Sequence, residues 1–75
     1  MLAYVMISLK NPKEDVIMDK LLEHEEVKEA HIVFGEWDLM AKIESENPES
    51  LATFVMENVR NLSEVKLSST LIVAK

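Results

Sequence analysis

Residues 30–44 read AHIVFGEWDLMAKIE. Two alternating apolar runs flank FGEWD, Phe34 to Asp38, which holds the only glycine and the only tryptophan of the chain. Such runs read as two strands, and the connection Gly35, Glu36, Trp37 closes them into a tight hairpin in which Gly35 supplies a positive φ. Asp38 suits the same turn, because its carboxylate accepts backbone N–H bonds. Trp37 does not suit it: an indole at a hairpin tip leaves a large apolar surface in water unless a neighbouring subunit or a ligand covers it.

Outward from this hairpin lie two similar stretches, NPKE (Asn11–Glu14) and NPES (Asn47–Ser50). In each, Asn is placed to cap a helix with Pro at the first helical position, where a missing N–H costs nothing. Glu14 sits where it completes a capping box with Asn11, and Glu49 lies near the positive end of the second helix. The first helix is expected to run to about His24, with Val16, Ile17, Met18, Leu21 and Leu22 as one broad apolar stripe. The second is expected to reach about Asn61, burying Leu51, Phe54, Val55, Val59 and Leu62.

Strands fill the remainder: Leu2 to Leu9, about Val27 to Phe34, Leu39 to Ser45, and Val65 to Val73. The order is βαββαβ, and right-handed crossovers put both helices on one face of a four-stranded antiparallel sheet. This is a ferredoxin-like α+β fold. Period-two reading sends Ala3, Val5, Ile7, Leu9, Ala30, Ile32, Phe34, Leu39, Ala41, Ile43, Val65, Leu67, Leu71 and Val73 toward the helices. The opposite face then carries Tyr4, Met6, Ser8, His31, Val33, Met40, Lys42, Glu44, Ser68, Thr70 and Ile72. That mixture is too apolar for a solvated face and too polar for a dry core, so a second sheet stacked on it, giving a dimeric α+β barrel, is expected.

Composition sets the frame. A chain of 75 residues makes a single domain (1–75) and buries only ~60% of its unfolded surface, so association is expected. There is no cysteine to supply a disulfide or a thiolate metal site. A formal charge of −6 with eight scattered Lys and Arg argues against direct nucleic-acid contact. The opening run MLAYVMISL lacks a basic flank and is too short to span a membrane, so a cytoplasmic protein is expected.

The segment AHIVFGEWDLMAKIE, following the strand AYVMISL and a capped helix, resembles the effector-binding (RAM) domain of the Lrp/AsnC regulators. The family's hairpin pattern of glycine, any residue, aromatic and aspartate is matched by Gly35, Glu36, Trp37 and Asp38, and the likeness covers essentially the whole chain. Full-length members carry an N-terminal helix-turn-helix domain, for which this chain has no residues to spare; it looks like the stand-alone form. The resemblance implies a homodimer that assembles into rings of four or five dimers, an octamer or a decamer. It also implies an amino-acid effector bound between dimers near the hairpins, its charged core held by backbone groups around Gly35 and by the Asp38 carboxylate. Two threonines of the family's last strand, two positions apart, line that pocket; their counterparts here are read as Leu67 and Ser69, so Ser69 joins the site and one hydroxyl is lost.

Catalysis is the rival class, since small oxygenases and isomerases share stacked ferredoxin-like sheets. His31, on the open face, is the candidate for it, but reads more simply as a hydrogen-bonded structural residue; His24 reads as a partner of a helix C-terminus. HEEVKEAH, His24 to His31, has the wrong spacing for a zinc helix, and no nucleophile or phosphate-loop motif is present. No catalytic residue, metal or cofactor is expected. The reading is a non-enzymatic amino-acid-binding and oligomerisation module connected with transcription regulation, with a protein regulator as a further partner. An ACT-like module with a helix-facing site is the alternative within the binding class.

Overall fold

The computed structural model describes Met1–Lys75 and has the expected element order: β1 (Leu2–Leu9), α1 (Glu14–Leu22), β2 (Val27–Ile32), β3 (Leu39–Glu44), α2 (Pro48–Val55) and β4 (Val65–Ile72). A π-helical turn, Met56–Arg60, continues α2. The strands form one antiparallel sheet in the order β2-β3-β1-β4, so the fold is ferredoxin-like α+β.

Both helices pack on one sheet face. Ala3, Val5, Ile7 and Leu9 of β1 and Leu39, Ala41 and Ile43 of β3 are buried there against Ile17 and Leu21 of α1 and Leu51, Phe54, Val55 and Val59 of the second helix. No polar side chain is buried. The second helix follows expectation closely. Asn47 Oδ1 accepts the Ser50 N–H at 2.8 Å, Pro48 takes the first turn, and Ser50, rather than an acidic residue, closes the capping box.

The first helix departs from it. Asn11 and Pro12 lie outside the helix, which starts at Glu14 with Lys13 as an N-cap that makes no side-chain bond. The Lys13 N–H donates to the Asn11 carbonyl at 2.8 Å, so this stretch spends its turn chemistry on leaving β1 rather than on capping. The apolar stripe is also narrower than expected. Ile17 and Leu21 are buried, but Val16 and Leu22 are about half exposed, because a helix of nine residues resting on a sheet buries only its inner line.

Two bulges decide the strand phases. In β2, Lys28 is an extra residue between Val27↔Ile43 and Glu29↔Lys42, which brings Val27 onto the helix side together with Ala30. In β4, Lys66 is extra between Leu9↔Val65 and Ser8↔Leu67. A period-two pattern inverts across such an insertion. Leu67 and Leu71 therefore lie on the open face, 59% and 56% exposed, whereas Ser68, Thr70 and Ile72 pair with Ile7, Val5 and Ala3 on the helix side. This reverses the expected assignment of β4 beyond Val65. Phe34 is likewise not in the helix-side layer: β2 ends at Ile32, and the Phe34 ring is fully exposed.

Candidate functional site

The β2–β3 hairpin is built by three backbone-directed bonds. The Val33 N–H donates to the Asp38 carbonyl at 3.0 Å, and the Asp38 N–H donates to the Ile7 carbonyl at 2.9 Å. Asp38 Oδ2 then accepts the Leu9 N–H at 2.8 Å, tying the hairpin base to the end of β1. Gly35 has φ +130°, a conformation that L side chains rarely adopt, and a Cβ there would meet nothing; the need for glycine is conformational, not steric.

This scaffold leaves a particular set of groups free. The backbone N–H groups of Phe34, Gly35, Glu36 and Trp37 donate to nothing in the chain. Asp38 keeps its second carboxylate oxygen free beside them. A run of unpaired amides next to a free carboxylate oxygen offers donors to an anion and an acceptor to an ammonium within one turn. Trp37 is only partly exposed, so the uncovered aromatic at the tip is Phe34.

Gly35, Glu36, Trp37 and Asp38 are contiguous, but Ser69 is not beside them. It pairs with Met6, which pairs with Met40, so it lies on the open face two strands from β3, roughly 10 Å across the sheet. Its neighbours on that face include Tyr4, Met6 and Met40, all partly buried, and the exposed Leu67 and Leu71. His31 is on the same face, with Nε2 3.2 Å from Glu29 Oε1, while Lys42 Nζ is 3.4 Å from Glu29 Oε2. The His31 hydrogen bond, then Lys42, holds the Glu29 carboxyl below its ordinary range.

A second feature was not visible in the sequence. Between the second helix and β4 runs a groove of about 400 Å³. Leu51, Val55 and Met56 line it from the second helix and Ser68, Thr70 and Ile72 from β4, and Arg60 lines it as well. Ser68 and Thr70, two positions apart, both line this groove, whereas Leu67 and Ser69 lie on the open face. Another cleft, about 580 Å³, is lined by polar residues only, among them Glu25, Glu26, Glu44 and Glu46. No group of side chains is placed to hold a metal ion, and no helix is long and apolar enough to cross a membrane.

Known proteins share this chain's sequence pattern and fold. An HTH-type transcriptional regulator of Pyrococcus abyssi is 31% identical over 75 residues, all of this chain and 49% of that protein; the chain spans about half the length of the curated relatives that it matches end to end. A solved hypothetical protein of Pyrococcus horikoshii superposes with a TM-score of 0.92 at 36% identity, covering 99% of this chain and 89% of the other. A transcriptional regulator of Neisseria meningitidis, solved as a complex with L-Met, shares the fold with a TM-score of 0.88 at 17% identity, over 99% of this chain and 49% of that one. The model of the Lrp/AsnC ligand binding domain matches residues 2–75, and the chain belongs to that family.

Proposed function

We propose that the chain binds an amino-acid effector and serves as the oligomerisation module of a transcription-regulating system, acting without catalysis. The observation that carries this reading is the hairpin: four consecutive free N–H groups from Phe34 to Trp37 beside the free oxygen of Asp38. The amides take the effector's carboxylate and Asp38 its ammonium, with Glu36 and the Trp37 ring at the rim. The membership of a ligand-binding domain family supports it, as does the L-Met complex of the Neisseria relative. The relatives named as HTH-type regulators support a regulatory role and a cytoplasmic setting.

A second copy covers the open sheet face. Exposed Leu67 and Leu71 on β4, beside Tyr4 and Met6 of β1 and Met40 of β3, make a surface that one chain leaves uncovered, and covering each leucine contributes up to about 1.5–3 kcal/mol. Ser69 then belongs to this dimer face. Dimers join into an octamer or a decamer in which the hairpin of one copy faces the α2–β4 groove of a neighbour. The groove supplies the apolar walls that the hairpin lacks, and Ser68 and Thr70 supply its hydroxyls. A regulator protein is the assembly's further partner.

Screening the twenty amino acids by thermal shift tests this reading. Ligand at ~100 times its Kd adds about 2.7 kcal/mol and raises Tm by roughly ten degrees in a domain of this size. Trp37 fluorescence should change with the same ligand, and Asp38→Asn should weaken binding. Absence of a shift with all twenty refutes the effector role.

A further inference from the structure

The irregularities of the sheet fall on its two outer strands. The central pairing of β1 with β3 runs from Leu2↔Glu44 to Ile7↔Leu39 without a shift, whereas β2 and β4 each carry one extra residue. It is a lysine both times, and both strands open with the same pair, Val27-Lys28 and Val65-Lys66. In each pair the valine packs into the helix-side core, while the lysine is exposed and makes no ion pair. Deleting either lysine would leave every later side chain on its present face, since Val65 and Leu67 would then alternate as Leu9 and Ser8 do opposite them, and Val27 and Glu29 as Ile43 and Lys42 do. The bulges are not needed to sort core from surface.

The strand order gives the two edges a hazard. β2 runs parallel to β1 and β4 antiparallel to it, so a second copy set beside the first, its β2 against the first copy's β4, would extend the sheet with antiparallel pairing throughout. Such a head-to-tail contact does not close, and it repeats without end. The free edge of β4 invites it: LSSTLIV, Leu67 to Val73, has no charge, glycine or proline, and Leu67, Leu71, Ile72 and Val73 are exposed.

Lys28 and Lys66 stand at opposite ends of that seam. Val65 pairs with Leu9 at the end of β1, whereas Val27 pairs with Ile43, itself opposite Ala3 near the start of β1. In the side-by-side arrangement one copy's Lys66 interrupts the seam at one end and the next copy's Lys28 at the other. Each breaks the ladder with a bend and adds a charge that pairing would strip of water. We infer that the two lysine bulges keep copies of this protein from polymerising edge to edge, so that they associate only through contacts that close. Effector binding plays no part in this device.

Sedimentation velocity of the whole chain over about a hundredfold range of concentration, with hydrogen exchange read at the β1 and β4 amides, tests the inference. The unaltered protein is expected to reach a constant size. Deletion of both Lys28 and Lys66 should lower the concentration at which larger species appear about tenfold or more, with β1 exchange unchanged and β4 exchange slowed. A deletion variant that keeps β1 protection and sediments like its parent overturns the inference, as does an unaltered protein that grows without limit. Where the deletion variant loses β1 protection, Lys28→Val combined with Lys66→Val, which keeps the chain length and removes both charges, decides. Growth of that variant with β1 still protected upholds the inference, and parental size overturns it.

Discussion

The two faces of the sheet come from the same four strands and have opposite fates. Toward the helices, Ala3, Val5, Ile7, Leu39, Ala41 and Ile43 are all buried to about 1% exposure or less within a single chain. On the other side, Leu67 and Leu71 keep more than half of their surface in water, with Tyr4, Met6 and Met40 only partly covered. The connections between strands make the difference. The crossovers through α1 and α2 can roof only one side, so the fold completes one face by itself and leaves the other uncovered.

The largest effect is expected on the completed face. Ile7→Ala removes a fully buried side chain from the central strand and should cost about 2–5 kcal/mol, enough to unfold much of the population in urea titration. A loss below about 1 kcal/mol would mean that this layer is not the core. On the open face, Leu71→Asp should leave the helix-side packing intact but weaken association about a hundredfold or more, read by sedimentation at micromolar concentration. Equal sedimentation of variant and parent would place the contact between copies elsewhere.

Within the roofed layer, the two helix starts separate capping from mere resemblance to a cap. Asn47→Ala should cost about 1 kcal/mol in thermal unfolding, since its side chain holds the Ser50 N–H, while Asn11→Ala, whose side chain caps nothing, should cost much less.

The smallest effect concerns acid. The Glu29 carboxyl is lowered first by its His31 hydrogen bond and then by Lys42, and that of Glu64 by its own backbone N–H. Each contributes stability present above the ordinary value of 4.5 and lost as pH falls through the lower, folded value. The Glu29 side chain is about half exposed and that of Glu64 partly so, and both pair at the solvent boundary, so Tm should decline only slightly below pH 4.5, and less in Glu29→Gln. A Tm rising below that pH would reverse the sign.

The hairpin was legible because its requirements are local. A single glycine between two alternating runs marks the turn, and φ +130° at Gly35 is what such a position demands. The location of the tip's exposed aromatic was not legible, since it depends on where β2 stops pairing: two residues before Phe34. The groove was hidden for a related reason. Ser68 and Thr70 reach it only because Lys66 is an unpaired insertion opposite Ser8 and Leu9, and that register belongs to the pair of strands, not to either one.

Taken alone, the amino-acid order determined the succession of strands and helices, the Asn47 cap, the glycine turn and the family likeness, because each depends on neighbours within a few residues. Tertiary structure decided which β4 side chains meet the helices, which face stays bare, and where Arg60 stands relative to an aliphatic wall. Those outcomes depend on pairing between segments distant in the chain, where one inserted residue exchanges the faces of everything beyond it.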